Sequence, residues 1–100
     1  MPGIGMMKLG TKLIKILDIN PENYQLKLEY SDKFKGIISL DFIFSNPEKK
    51  PLVLEILRGN LFQRCFIESG ALAWPNGYEL CPDMLRHWIA EQNKLRKKVA

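Results

Sequence analysis

The sequence holds one histidine, two cysteines and no apolar run approaching the roughly 18 residues that a membrane-spanning helix requires. Each scarcity argues against a class of protein. A single histidine, His87, leaves little for a nucleophile-base-orienter set or for a metal centre, which wants three or four ligands. Cys65 and Cys81 show no paired spacing of a zinc site or redox motif, so they read as reduced thiols of a cytoplasmic protein. Gly3, Gly5 and Gly10 have no strand before them and do not make a phosphate loop. The opening Met1-Pro2-Gly3-Ile4-Gly5-Met6-Met7 lacks the apolar core of a signal peptide, and Met6 or Met7 is an alternative start to Met1.

What is present is the composition of an ordinary globular domain. One hundred residues, 46% hydrophobic and 26% charged, suffice for one core and leave no room for a second domain. The formal charge of +4 is unevenly placed. Lys94, Arg96, Lys97 and Lys98 carry four positive charges with no acid among them, and positions 1–93 balance eleven basic against eleven acidic residues. A neutral body with a basic end implies a flexible leader over 1–10, a single domain over 11–92 and a basic tail over 93–100 that frays into solvent.

Along the chain, Leu13, Ile14, Ile16, Leu17 and Ile19 predict a strand apolar on both faces, and so central. Asn20-Pro21-Glu22-Asn23 is turn chemistry. Tyr24, Leu26, Leu28 and Tyr30 then alternate with polar residues as a half-buried strand does. A third strand is expected over Lys35 to Phe42, completing a meander. Ser45 to Pro51 interrupts the sheet, Leu52 to Leu57 favours a short helix, and Gly59 stands where a left-handed C-terminal residue belongs. Leu61 to Glu68 reads as a strand of mixed faces, turned by Ser69-Gly70.

The most informative stretch is Ala71 to Leu85. Leu72 and Trp74 point inward, Pro75 ends a strand, and Asn76-Gly77 is the pair most tolerant of positive φ. Tyr78, Glu79 and Leu80 follow as a short extended segment. Pro82 suits the first position of a helix and Asp83 its positive dipole end, while Leu85, Trp88 and Ile89 give the stripe that docks on the sheet. The expected fold is therefore α+β: a small antiparallel sheet of about four to five strands packed against a C-terminal helix, with a short helix in the middle.

Trp74-Pro75-Asn76-Gly77, Leu80, Pro82-Asp83 and Leu85, preceded by Phe62 and by Tyr24-x-Leu26-x-Leu28 with Ser31-Asp32 after it, resemble the bacterial domain-of-unknown-function family 2442 over roughly residues 11–90. The resemblance implies a small α+β domain of unassigned activity, often encoded beside another small protein in arrangements like toxin-antitoxin pairs. Some members of that family carry a helix-turn-helix after the domain, for which the eleven residues beyond Ile89 are too few. The family places Gly directly after Asp, whereas Lys33-Phe34-Lys35 precede Gly36 here, so a longer hairpin loop is expected.

The chemistry-bearing residues weigh mostly toward structure. Asp83, His87 and Glu91 share a helix face at i, i+4, i+8, a spacing that a solvated polar face also produces. A helix N-terminus favours an anionic thiolate, which makes Cys81 the best nucleophile, but no histidine or second cysteine lies near it in sequence. Trp74, Trp88, Tyr24, Tyr30 and Tyr78 lack the interleaved Arg and Lys of a nucleic-acid platform. The reading is a non-catalytic protein-interaction module without cofactor or metal, the antitoxin-like member of a two-gene unit. Tyr78 and Glu79, which have no assigned structural task, are its candidate contacts. The alternative is a nucleic-acid-binding regulator using Lys94, Arg96, Lys97 and Lys98, a charge that a homodimer would double; a small enzyme using Cys81 or His87 is the minor one.

Overall fold

The computed structural model describes residues 11–48 and 50–99, with side chains through Arg96. The leader assigned to residues 1–10 and the alternative starts lie outside the described residues.

Among the described residues six strands and three helices run in the order β1 (Leu13–Asn20), β2 (Gln25–Tyr30), β3 (Lys35–Ser39), α1 (Asp41–Phe44), α2 (Pro51–Arg58), β4 (Phe66–Glu68), β5 (Ala71–Ala73), β6 (Glu79–Leu80) and α3 (Pro82–Val99), with a 3₁₀ turn at Phe62–Arg64 before β4. The fold is α+β as expected, but the strands do not form one sheet of four to five. They make two antiparallel three-stranded sheets, β1-β2-β3 and β4-β5-β6. The reason lies between Leu40 and Arg64. Asp41–Phe44 closes a helical turn where a strand to Phe42 was expected, and Phe62–Arg64 winds into 3₁₀ geometry where a strand from Leu61 was expected. Mixed apolar faces leave strand and helical turn undecided in short segments.

β1 borders its sheet, and β2 is central. The apolar residues on both faces of β1 have a local cause. Register shifts between Leu13 and Lys15 and between Ile16 and Asp18 leave Ile14 and Leu17 as extra residues, so Leu13, Ile16 and Ile19 stand opposite Tyr30, Leu28 and Leu26. Two bulges convert a period of two into a period of three, and all three face the core.

The hairpin between β2 and β3 closes tightly. Tyr30 N–H donates to Phe34 O at 2.8 Å, leaving a loop of Ser31, Asp32 and Lys33, with Lys33 at φ 74° in the left-handed position. Helix α2 ends in a Schellman arrangement: Leu61 N–H donates to Ile56 O and Asn60 N–H to Leu57 O. Asn60, at φ 55°, is its left-handed residue, one position later than expected, and Gly59 sits at φ −88°.

One core joins the two sheets. Leu26, Leu28, Tyr30 and Ile38 meet Phe44, Val53 and Ile56, then Leu72, Trp74 and Leu80, and finally Leu85 and Ile89 of α3. Helix α3 comes so close to β3 that a Cβ on Gly36 would lie 2.7 Å from Ile89 Cγ2. The edge of β3 is covered as well. The Gln92 side-chain amide accepts from Ser39 N–H and donates to Ser39 O, both at 2.9 Å, as a neighbouring strand would. Helix α3 continues through the basic run to Val99, beyond the point after Ala90 where its inward stripe fades.

Candidate functional site

The stretch around Trp74 is the corner of the fold. Trp74 is buried at 1% exposure, and its Nε1–H donates to Phe62 O at 3.0 Å. Its ring lies 5.9 Å from Phe44, 6.0 Å from Phe62 and 5.6 Å from Tyr78, while Tyr24 stacks on Phe44 at 5.3 Å. The turn after it closes through Gly77 N–H to Trp74 O and Trp74 N–H to Tyr78 O, with Pro75 exposed at its tip. Asn76 does more than turn the chain. Its Oδ1 accepts from Tyr78 N–H, and its Nδ2 donates to Leu52 O at 2.9 Å and Glu55 Oε1 at 3.1 Å, clasping α2. Tyr78 is half-buried and burial raises its hydroxyl pKa, so it has the structural task that the sequence did not show. Glu79 is exposed on β6, and Leu80 and Leu85 are buried.

Pro82 O accepts from Tyr30 Oη at 2.8 Å, fixing the start of α3 to β2. Burial holds the Tyr30 hydroxyl protonated well above its ordinary range, although the Arg86 charge works the other way. The Arg86 guanidinium lies 4.0 Å from the Phe34 ring centre and 5.1 Å from that of Tyr30, and reaches both oxygens of Asp32 at 3.1 and 3.0 Å. Partial desolvation of Asp32 opposes ionisation. The Phe34 N–H and the Arg86 guanidinium outweigh it and hold the carboxyl below its ordinary value. A depressed folded-state pKa stabilises above the unfolded value, about 3.9, and the contribution disappears as pH falls through the folded one. Asp32→Asn should therefore lower stability at pH 7 but not near pH 2. Urea unfolding across that range checks this: the two stability curves converge in acid.

The thiols have separate environments and both are free. Cys65 is buried after the 3₁₀ turn, where burial pushes its thiol up to about 11; Cys81 is exposed, its carbonyl accepting the Leu85 N–H that opens α3. An aromatic disulfide reagent should thus titrate Cys81 alone in the native protein and both thiols in denaturant. Immediate native reaction of both would contradict this placement of Cys65. His87 is exposed, and Asp83 is half-buried one turn before it. Among the described residues no group of three or more His, Cys, Asp or Glu side chains is placed to hold a metal ion. No described helix is long and apolar enough to cross a membrane.

Two depressions are each about 80 Å³, one between Pro21, Tyr24, Ile56, Leu57, Asn60 and Phe62, the other across β1, β2 and β3 at Asp18, Asn20, Gln25, Leu26, Lys27 and Ile37. The more telling surface is on α3. Phe42 of α1 meets Trp88 edge to face at 5.0 Å and is 48% exposed; Met84 is 49% and Leu95 62% exposed. Met84, Trp88, Glu91, Leu95 and Lys98 follow one another at spacings of four, three, four and three residues. Three of these five positions are apolar, and Glu91 and Lys98 break the repeat. The inward seam, Leu85, Ile89 and Gln92, occupies the neighbouring face. Glu91, between Trp88 and Leu95, is paired with Lys94 at 3.5 Å. Lys94 is exposed, and Arg96 donates to Asn93 Oδ1.

Sequence reasoning placed Phe42 on a strand and Trp88 wholly in the docking stripe, and it passed over Met84 and Leu95. The spacing of Met84, Trp88 and Leu95 was the signal available. No protein-family model, curated protein or solved structure matches the chain.

Proposed function

We propose that this chain is a non-catalytic protein-interaction module, the antitoxin-like or regulatory member of a two-gene unit of the kind that its resemblance to family 2442 implies, acting in the cytoplasm. The observation that carries the reading is the half-exposed Phe42–Trp88 pair, continued by Met84 and Leu95 along α3. Aromatic and methionine side chains clustered in the open are enriched at protein interfaces and cost free energy to leave hydrated. The residues named first from sequence, Tyr78 and Glu79, supply at most the rim: one packs on Trp74 and the other stands alone. Co-expression with the product of the adjoining gene tests the reading. A single complex on size exclusion is expected, and two independently eluting species would count against it.

A second reading, nucleic-acid binding, is favoured by one observation: the backbone of the basic run is helical to Val99. Truncation after Asn93 should then abolish DNA retention at low salt, where phosphate contacts are strongest. No retention by the full-length chain removes that reading.

A further inference from the structure

We infer that Asn76-Gly77 is a deamidation site gated by the docking of α2: the native clasp holds the asparagine unreactive, loosening of the clasp releases it, and the conversion then prevents the clasp from re-forming. The chemistry needs an asparagine followed by an unhindered backbone N–H. Of the six asparagines, Asn20 and Asn46 precede proline, which has no N–H, and Asn23, Asn60 and Asn93 precede Tyr24, Leu61 and Lys94, whose side chains crowd the nitrogen. Only Asn76 precedes glycine, and Gly77 is exposed with nothing within 4 Å of where a Cβ would stand. In the reaction Gly77 N loses its proton and bonds to Asn76 Cγ, the Cγ–Nδ2 bond breaks, and Nδ2 departs as ammonia. The cyclic imide then takes up one water and opens to an aspartate or an isoaspartate, with no change of oxidation state.

In the native turn each reacting group is engaged. Gly77 N–H donates to Trp74 O at 3.0 Å, Asn76 Oδ1 accepts from Tyr78 N–H at 3.2 Å, and Nδ2 donates to Leu52 O at 2.9 Å and Glu55 Oε1 at 3.1 Å. Ring closure must draw Nδ2 away from α2 and free the Gly77 nitrogen from the Trp74 carbonyl. Hydrogen bonds of ordinary net strength, broken together, slow the native reaction by roughly ten-fold or more relative to the unfolded chain. The same contacts decide what the product does. A carboxylate at position 76 accepts but cannot donate, so it offers nothing to Leu52 O and sets like charge against Glu55. An isoaspartate also lengthens the backbone by one methylene, within a turn closed by Gly77 N–H to Trp74 O and Trp74 N–H to Tyr78 O. Either product loses the hold of the Trp74 corner on α2.

The experiment incubates the full chain at mildly alkaline pH, native and in urea, and follows conversion by peptide mapping and by enzymatic methylation of isoaspartate. Conversion should fall first on Asn76 and run roughly ten-fold or more faster in urea than in the native protein. Glu55→Ala, at an exposed position of α2, should speed the native conversion several-fold and leave the rate in urea unchanged, which separates the clasp from the intrinsic chemistry of the dipeptide. Asn76→Asp reproduces one product without incubation and should unfold at a lower urea concentration than the wild type. Asn76→Asp/Glu55→Gln should recover part of that loss, because a glutamine amide can donate to the new carboxylate. Equal rates in native and unfolded chains, a native rate that Glu55→Ala does not raise, or earlier conversion of another asparagine overturns the inference. So does an Asn76→Asp variant with the urea midpoint of the wild type.

Discussion

Replacing Trp74 with alanine should cost about 3–5 kcal/mol, the range for removing a large buried ring from a packed core. The ring is 1% exposed and meets Phe44, Phe62 and Tyr78, so no solvent-facing relaxation can fill the space. Its Nε1–H also satisfies the Phe62 carbonyl from across the fold. Trp74→Phe separates the two contributions. It keeps most of the aromatic contact but orphans a buried carbonyl, for about 1–3 kcal/mol. Small domains are stable by about 5–15 kcal/mol, so the alanine variant sits near the edge of folding. Urea unfolding followed by far-ultraviolet circular dichroism measures both. A loss below about 1 kcal/mol for the alanine variant would deny Trp74 its place at the corner.

Gly70→Ala should be the next most damaging change, at about 2–4 kcal/mol, combining left-handed strain with a steric contact. Ser69 at φ 51° and Gly70 at φ 85° form the two-residue turn between Glu68 and Ala71, with positive φ at both positions. A Cβ on Gly70 would also fall 2.7 Å from Lys12 Cβ and Cγ. Lys12 cannot step aside at those atoms. Its carbonyl accepts from Ser31 N–H at 2.8 Å, and the next residue, Leu13, donates to Gly70 O at 3.0 Å. This is the seam where β1 meets the second sheet. Gly77→Ala is the control: φ is +94° but nothing lies within 4 Å of the added methyl, so only strain of about 1–2 kcal/mol applies. Equal losses at the two glycines would show that the Lys12 contact is not restrictive.

Much of this arrangement was legible before any coordinates. The alternation from Leu26 to Tyr30, the proline at the first position of α3 and the inward Trp74 follow from periods and backbone rules that act locally. What escaped depends on contacts distant in sequence. Leu40 N–H reaches back to Tyr24 O and Phe44 enters the aromatic core, so Asp41–Phe44 coils although its residues would also suit a strand. Two bulges in β1 are invisible without the partner strand that they misalign. The candidate surface was read least well for the same reason. Tyr78 looked unemployed until Trp74 was placed beside it, and Asn76 read only as a turn residue until α2 came within its reach. Phe42 and Leu95 looked ordinary until the fold left them outside.

The central claim is that this protein works by binding another protein along the α3 flank. The most direct test is co-elution of the adjoining gene product with the wild-type chain and with a Phe42→Glu/Leu95→Glu variant, both substitutions lying at exposed positions. The account predicts one complex for the wild type and free components for the variant, whose thermal unfolding stays near that of the wild type. A complex that survives both substitutions, or wild-type components that never associate, would contradict it.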